Sequence, residues 1–179
     1  QLSYWDEILA SRGAILINAR IEVIRELEQL AQRIHEKLSG SSEVIQLLYQ
    51  PSFDPAPPPQ GQFALPLQVQ VQRNSLPTEK LKQAFAARLQ EIRGEEIARG
   101  ITTIGPHRDE MRVLCNGVDL TDFGSRGQLR TAILSLKLAE VDWLKQKTFE
   151  WPVLLLDETL AELDTHRRAF FLDYLSNAG

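Results

Sequence analysis

Sulfur is almost absent from this chain, which has one cysteine, Cys115, and one methionine, Met111. A lone cysteine excludes an intrachain disulfide and a cysteine cluster for zinc, and it suits a reducing cytoplasm. No apolar run approaches the roughly 18 residues that a membrane-spanning helix needs, and no signal peptide opens the chain. Basic charge is not in excess either: 20 Lys+Arg stand against 24 Asp+Glu, a net charge of −4. General attraction to nucleic acid is thereby excluded, so any such contact must be a local patch. None of the ten glycines is followed by lysine, so the G-x-x-x-x-G-K-[ST] phosphate cradle is missing. The first residue is Gln1 and not methionine, as expected of a processed chain or a piece of something longer.

What remains is ordinary globular composition, 43% hydrophobic and 25% charged over 179 residues, enough for one large domain or two small ones. From about Tyr4 to Leu38 apolar residues recur at three- and four-residue steps, with Ile17, Ile24, Leu27, Ala31, Ile34 and Leu38 on one seam. Gly13 is a place for this helix to bend, and Ser39-Gly40 stops it. A helix this long is the spine of its own domain in preference to a coiled-coil-like arm. Periodicity predicts a second short helix over 42–48. The proline-rich segment 51–61 then breaks regular structure. Alternation of Leu65, Leu67, Val69 and Val71 predicts a strand with one buried face. A helix capped by Thr78 should run to about Arg99, burying Leu81, Phe85, Leu89 and Ile92, with Gly100 ending it. "MRVLCNGVDL" reads as a hairpin turning at Asn116-Gly117. A helix from about Gly127 to Lys147, the apolar strand "WPVLLLDE" and a helix beginning near Asp164 complete the chain, and no repeat is visible.

Two stretches carry possible chemistry. In "PVLLLDETLAELD", four apolar residues from Val153 to Leu156 fit a strand buried on both faces. Asp157 and Glu158 stand at its carboxyl end, where open α/β sheets bind ligands. One carboxylate there can hold Mg2+ and the other can orient a nucleophilic water. That is the Walker B pattern, although a solvated acidic turn is the plain alternative. In "FGSRGQLRT", a capping box explains Ser125 and Gln128. It leaves Gly124, Arg126 and Gly127 over. Glycine admits a phosphate close to backbone amides, and a helix start with Arg126 and Arg130 nearby receives anions. Cap and phosphate clamp are compatible, and both are expected together.

These two motifs, about thirty residues apart, match the signature and Walker B of the ATP-binding-cassette superfamily, with Ala161 to Asp164 at the place of the D-loop. More specifically, "GITTIGPHRDE", "FGSRGQLRTAILSLKLAE", "PVLLLDETLAELD" and the opening "YWDEILASRGAILINAR" closely resemble the RecF recombination-repair ATPases of bacteria. The resemblance covers nearly the whole chain and fails mainly at the proline-rich loop. It implies an ATP-dependent head-to-tail homodimer that binds DNA at single-strand/double-strand junctions and gaps. It implies partnership with RecR and RecO in loading RecA, in DNA repair, recombination, replication restart and the SOS response. By position, Ser125, Arg126, Gly127 and Gln128 would touch the γ-phosphate of ATP held by the other protomer. Asp157 would be the Mg2+-site acid, Glu158 would polarise the attacking water, and Asp164 would be the D-loop aspartate at the dimer interface.

Departures from the family pattern are few but consequential. Glu158 replaces a usual second aspartate and should still reach a water, and Leu129 replaces a usual second glutamine. The phosphate cradle is absent, as is the switch histidine expected beyond Gly179. The expected fold is α+β: a helical signature lobe with a small β element, joined to part of a cassette-type ATPase lobe. Residues 1–100 would form the helical lobe, and 101–179 the hairpin, the signature helix and the Walker B segment. Alone, the chain should bind ATP poorly and hydrolyse none, although the resemblance implies that its parent would be a weak ATPase of the cytoplasm. The rival reading is a non-catalytic helical scaffold that binds a partner protein.

Other residues are read as structural. His35 is placed on a charged helix face and His166 near a helix start, neither with metal-ligand spacing. On a structural reading Arg108-Asp109 is a plain ion pair, and that reading stands level with contact to DNA or phosphate. His107 is left open between a structural role and contact with DNA or phosphate. The cations from Arg73 to Arg112 alternate with acids and are read as a solvated face.

Overall fold

The computed structural model describes residues 2–53, 76–155 and 164–176. In chain order they form α1 (Leu2–Ser39), β1 (Ile45–Gln50), α2 (Thr78–Arg99), a 3-10 turn (Pro106–Arg108), β2 (Glu110–Cys115), β3 (Val118–Asp119), α3 (Leu120–Phe123), α4 (Arg126–Thr148) and α5 (Thr165–Ser176). The architecture is mostly helical with one three-stranded sheet in the order β1-β2-β3, as the α+β expectation requires. Two compact units are interleaved along the chain: one comprises 1–24 and 48–111, the other 25–47 and 112–179.

In the first unit, Ala10, Ala14 and Ile17 of α1 pack with Leu81, Phe85 and Leu89 of α2, and with Tyr49 and Phe53. The four expected inner-face residues of α2 are all buried. Burial of each large apolar side chain stabilises by about 1.5–3 kcal/mol. Gly13 does not bend α1, which is one continuous helix. Its smallness serves packing instead: a Cβ there would lie 2.6 Å from Phe85 Cε1. Phe85 is itself stacked on Phe53, with ring centroids 5.0 Å apart. Thr78 is the first helical residue of α2, and its hydroxyl takes a hydrogen bond from Asn18 at 3.1 Å; the cap position belongs to Pro77. Gly100 ends α2 in the left-handed region, φ 66°.

The "GPHRDE" segment is anchored by Asp109, whose side chain is only 1% exposed. Its carboxylate accepts from Arg20 at 3.2 Å, from the Tyr49 hydroxyl, and from the Ser52 amide at 2.8 Å. The expected Arg108–Asp109 pair is therefore replaced by Arg20–Asp109, while His107 and Arg108 are exposed and both side chains reach the Thr102 carbonyl. Cations of the 73–112 stretch lie on a solvated face as expected, where Arg88 pairs with Glu91 and Arg99 with Glu95.

The second unit is built on Ala31, Ile34 and Leu38 of α1, Ile45, Cys115 and Leu120, residues of α4 including Leu134, Leu138 and Ala139, and Phe171 of α5. The short helix predicted over 42–48 is not formed, and β1 takes its place. The cause is a burial period of two along Ile45–Gln50, with Ile45, Leu47 and Tyr49 facing in. The hairpin holds as predicted: Leu114 pairs with Asp119 and Cys115 with Val118. Asn116 and Gly117 carry φ of 50° and 79°, the two positive values a type I′ turn needs.

Residues 151–155 are not in a strand. Leu154 packs on the core of the second unit, but Val153 and Leu155 are 89% and 90% exposed. The expectation of burial on both faces fails for these residues, because among the described residues no strand lies alongside to pair with them. The strand expected at 65–71 lies outside the described residues, as do Asp157 and Glu158.

Candidate functional site

The start of α4 is prepared by the elements before it. Asp119 caps the short α3 by accepting from the Thr121 amide at 2.8 Å, and it receives Arg112 at 3.0 Å. Burial alone would raise its pKa, but the Thr121 amide and the Arg112 guanidinium outweigh burial and hold the carboxyl below its ordinary range. Gly124 follows, its amide on the Leu120 carbonyl at 3.0 Å. A Cβ at this position would stand 2.5 Å from the same carbonyl oxygen. The Gly124 requirement thus comes from the chain's own backbone and not from an incoming phosphate.

Ser125 is the N-cap of α4 and forms the predicted box with Gln128. Its Oγ accepts from the Gln128 amide at 3.2 Å, and the Gln128 side-chain oxygen accepts from the Ser125 amide at 3.0 Å. Gln128 continues inward: its Nε2 donates to Glu43 Oε1 at 2.9 Å. Because Ser125 Oγ only accepts in this box, its own hydrogen is available to an outside acceptor. Ser125, Arg126 and Gly127 are exposed. The first-turn amides of Arg126 and Gly127 have no intrahelical acceptor, as in any helix. At Gly127 an added Cβ would meet nothing closer than Ser125 Oγ at 4.0 Å. Nothing in the chain's own packing explains why this residue is glycine.

Beneath this turn lies a polar cluster that sequence reasoning missed. His35 is 0% exposed, a correction to its placement on a charged surface face. It belongs on the buried seam because it lies four residues after Ala31 and three before Leu38, a spacing visible in the sequence. Ser135 Oγ donates to the Thr131 carbonyl at 2.7 Å, so it accepts from His35 Nδ1–H at 3.0 Å. His35 Nε2 faces Glu43 Oε2 at 3.3 Å and makes no hydrogen bond of good geometry. Burial lowers the His35 pKa against the opposing pull of Glu43. Cys115 is buried beside them, and its thiol pKa is raised by burial and by Glu43. His35, Glu43 and Cys115 offer ligand-type atoms within 4.8 Å of one another. The fold has thus gathered a histidine and the lone cysteine that sequence spacing kept apart.

Asp164 lies apart from the α4 start in its bonding. Its Oδ1 accepts from the Arg167 amide at 2.9 Å at the start of α5, and that bond, with the Arg167 charge, holds its pKa down. The structure thus brings Ser125, Arg126, Gly127 and Gln128 into one exposed turn and makes Asp164 a helix cap. His166 is exposed, as expected.

No family model matches the chain. It is similar to DNA replication and repair protein RecF of Acetivibrio thermocellus, 39% identical over 176 residues, and of Halothermothrix orenii, 40% identical over 176 residues. Each alignment covers 98% of this chain and 43% of the relative, so the chain spans about two-fifths of their length. Among solved structures it is similar to the recombination mediator protein RecF in the RecFOR pathway. The form with ATP gives a TM-score of 0.78 at 28% identity, covering 97% of this chain and 42% of the other. The form with ATPγS gives 0.80 at 29% identity, covering 99% and 43%.

Proposed function

We propose, from the premise that this chain is a homologue of the RecF replication and repair proteins along 98% of its length, that its α4 start closes on ATP held by a partner protomer. The solved relatives carry ATP or its analogue, and they supply the identity of the anion that the turn would meet. The observation that carries the reading is the division of labour in the Ser125–Gln128 box. The cap is satisfied internally, yet it does not use the Ser125 hydroxyl hydrogen, and Arg126 and Gly127, whose first-turn amides have no intrahelical acceptor, are exposed residues. Such donors at a helix start, with a guanidinium beside them, suit a γ-phosphate. An open space at Gly127 lets that phosphate come close to the backbone.

Asp157 as the Mg2+-site acid, Glu158 as the water-polarising base and Asp164 as an interface residue follow from family position. Mg2+ would neutralise charge on the phosphates and help the leaving group depart. Asp164 already serves α5 as a cap, with Oδ1 on the Arg167 amide and Oδ2 on the Arg167 guanidinium, so an interface role would compete with that ion pair. The complete assembly would dimerise with ATP on gapped DNA and act with RecR and RecO to load RecA.

The test combines this chain in trans with the amino-terminal lobe of a RecF relative, with ATP and Mg2+. Association that needs nucleotide and is lost on Ser125→Arg supports the clamp. Association indifferent to both nucleotide and substitution overturns it and favours the scaffold reading. That second reading has its own observation, a cleft in the first unit where Leu2, Trp5, Ile97 and Ile101 are 50–62% exposed.

A further inference from the structure

We infer that Glu43 is a positioning residue for the α4 start, holding Gln128 and through it the Ser125 cap in the shape that receives phosphate. The inference rests on the phosphate-contact reading above and extends it to a residue outside the motif. The chain of contacts is continuous. Gly40 and Ser41 reverse the backbone after α1 with φ of 66° and 61°. The segment that follows is stapled to the hairpin turn: the Val44 amide donates to Asn116 Oδ1 at 2.8 Å, and the Asn116 amide donates to the Val44 carbonyl at 2.9 Å. Glu43 is thereby fixed beside α4. Its Oε1 accepts from Gln128 Nε2 at 2.9 Å, and Gln128 Oε1 accepts from the Ser125 amide at 3.0 Å.

Gln128 is thus held at both ends of its amide, and this has a chemical consequence. An amide can present either its oxygen or its nitrogen to the Ser125 N–H, and only the oxygen closes the capping box. Glu43 accepts and does not donate when ionised, so it selects the orientation with nitrogen inward and oxygen toward Ser125. Ser125 Oγ is then kept as an acceptor for the Gln128 amide, which leaves its own hydrogen for another acceptor. Without Glu43, Gln128 is free to rotate, the cap loosens, and the phosphate donors lose their common direction. A 1 Å misplacement of such groups is costly.

A cation held by His35, Glu43 and Cys115 is the competing use of the same carboxylate. Tetrahedral zinc, with bonds of about 2.0–2.3 Å, would draw its ligand atoms to within roughly 3.5 Å of one another. His35 Nε2 and Glu43 Oε2 are 3.3 Å apart, but the three groups as a set come only within 4.8 Å, and the other Glu43 oxygen, Oε1, is already engaged by Gln128. The hydrogen-bonded role is favoured.

The test uses the complete protein carrying this sequence, measuring ATP-dependent self-association, nucleotide affinity of the protomer, and thermal unfolding. Glu43→Ala should weaken association about tenfold while leaving protomer nucleotide affinity unchanged. Glu43→Asp, one methylene too short to reach Gln128, should do the same and keeps the test alive if the alanine variant unfolds. Glu43→Gln should restore association, because its oxygen still accepts from Gln128 and its nitrogen can donate to His35 Nε2. Ala and Asp variants that associate normally overturn the inference, as does a Gln variant as impaired as Ala. A thiolate-to-cobalt absorption band on adding Co2+, lost in Cys115→Ser, also overturns it in favour of a cation site. Ser125→Arg runs alongside: if it abolishes association while Glu43→Ala does not, only this inference fails; if Ser125→Arg is itself silent, the phosphate-contact reading fails first.

Discussion

Two glycines three residues apart, Gly124 and Gly127, should answer differently to the same substitution. Gly124→Ala places a Cβ 2.5 Å from the Leu120 oxygen, 3.0 Å from its Cα and 3.1 Å from its carbonyl carbon. Ordinary contact is nearer 3.4 Å or more, and all three atoms are backbone, so the α3–α4 junction must shift. Overpacking of this kind costs about 1–3 kcal/mol. Gly127→Ala meets nothing closer than 4.0 Å and sits in the first turn of α4, where alanine is favoured over glycine by no more than the roughly 0.5–1 kcal/mol of a helix interior. Urea unfolding of the chain should therefore show Gly124→Ala destabilised and Gly127→Ala neutral or stabilised. ATP-dependent association should show the reverse for Gly127→Ala: a well-folded protein that associates at least tenfold more weakly, because the new methyl fills the space a phosphate needs. A Gly127→Ala variant that is both stable and fully competent would refute the assignment of that glycine to the ligand. A destabilised one would refute the packing reasoning.

Other expectations concern the fold beneath the site. Asp109→Ala should cost about 3 kcal/mol in denaturant unfolding, because it leaves Arg20, the Tyr49 hydroxyl and the Ser52 amide without their shared acceptor; a loss under about 1 kcal/mol would contradict the anchoring role. The lowered pKa of His35, which faces Glu43, Cys115 and Arg167, makes stability pH-dependent in one direction. The unfolded histidine takes up a proton near its ordinary value of 6.5 and the folded one resists. Stability should therefore be level above that pH and fall as pH drops through the window just below it, by up to about 1.4 kcal/mol per pH unit. Thermal scans across that window should show the slope for the parent chain and lose it for His35→Gln.

Local signals with a single physical cause were legible in the sequence. Asn116-Gly117 demanded positive φ, Gly100 marked a helix end, and Ser125 with Gln128 spelled a reciprocal cap; all three stand in the structure. The errors share a different cause. Residues 42–48 hold apolar side chains close enough together to suit either period, and only pairing within the sheet selects β1. Val153 and Leu155 have strand-like composition, but among the described residues no strand lies beside them. Asp109 has Arg108 as its neighbour in sequence, yet its partner is Arg20, a contact between α1 and a distant loop that no local pattern encodes. Glu43 was invisible for the same reason, since its meaning lies in Gln128, 85 residues away. His35 was the avoidable miss, because its spacing from Ala31 and Leu38 put it on the buried seam.

The central claim is that the first-turn amides of Arg126 and Gly127 and the hydroxyl of Ser125 meet a phosphate held by another subunit. Its most direct measurement is the dissociation constant between this chain and the amino-terminal lobe of a RecF relative, with and without ATP, for the parent sequence and for Ser125→Arg. The account predicts tight association only with ATP and only with serine. Equal affinity in all four conditions would contradict it.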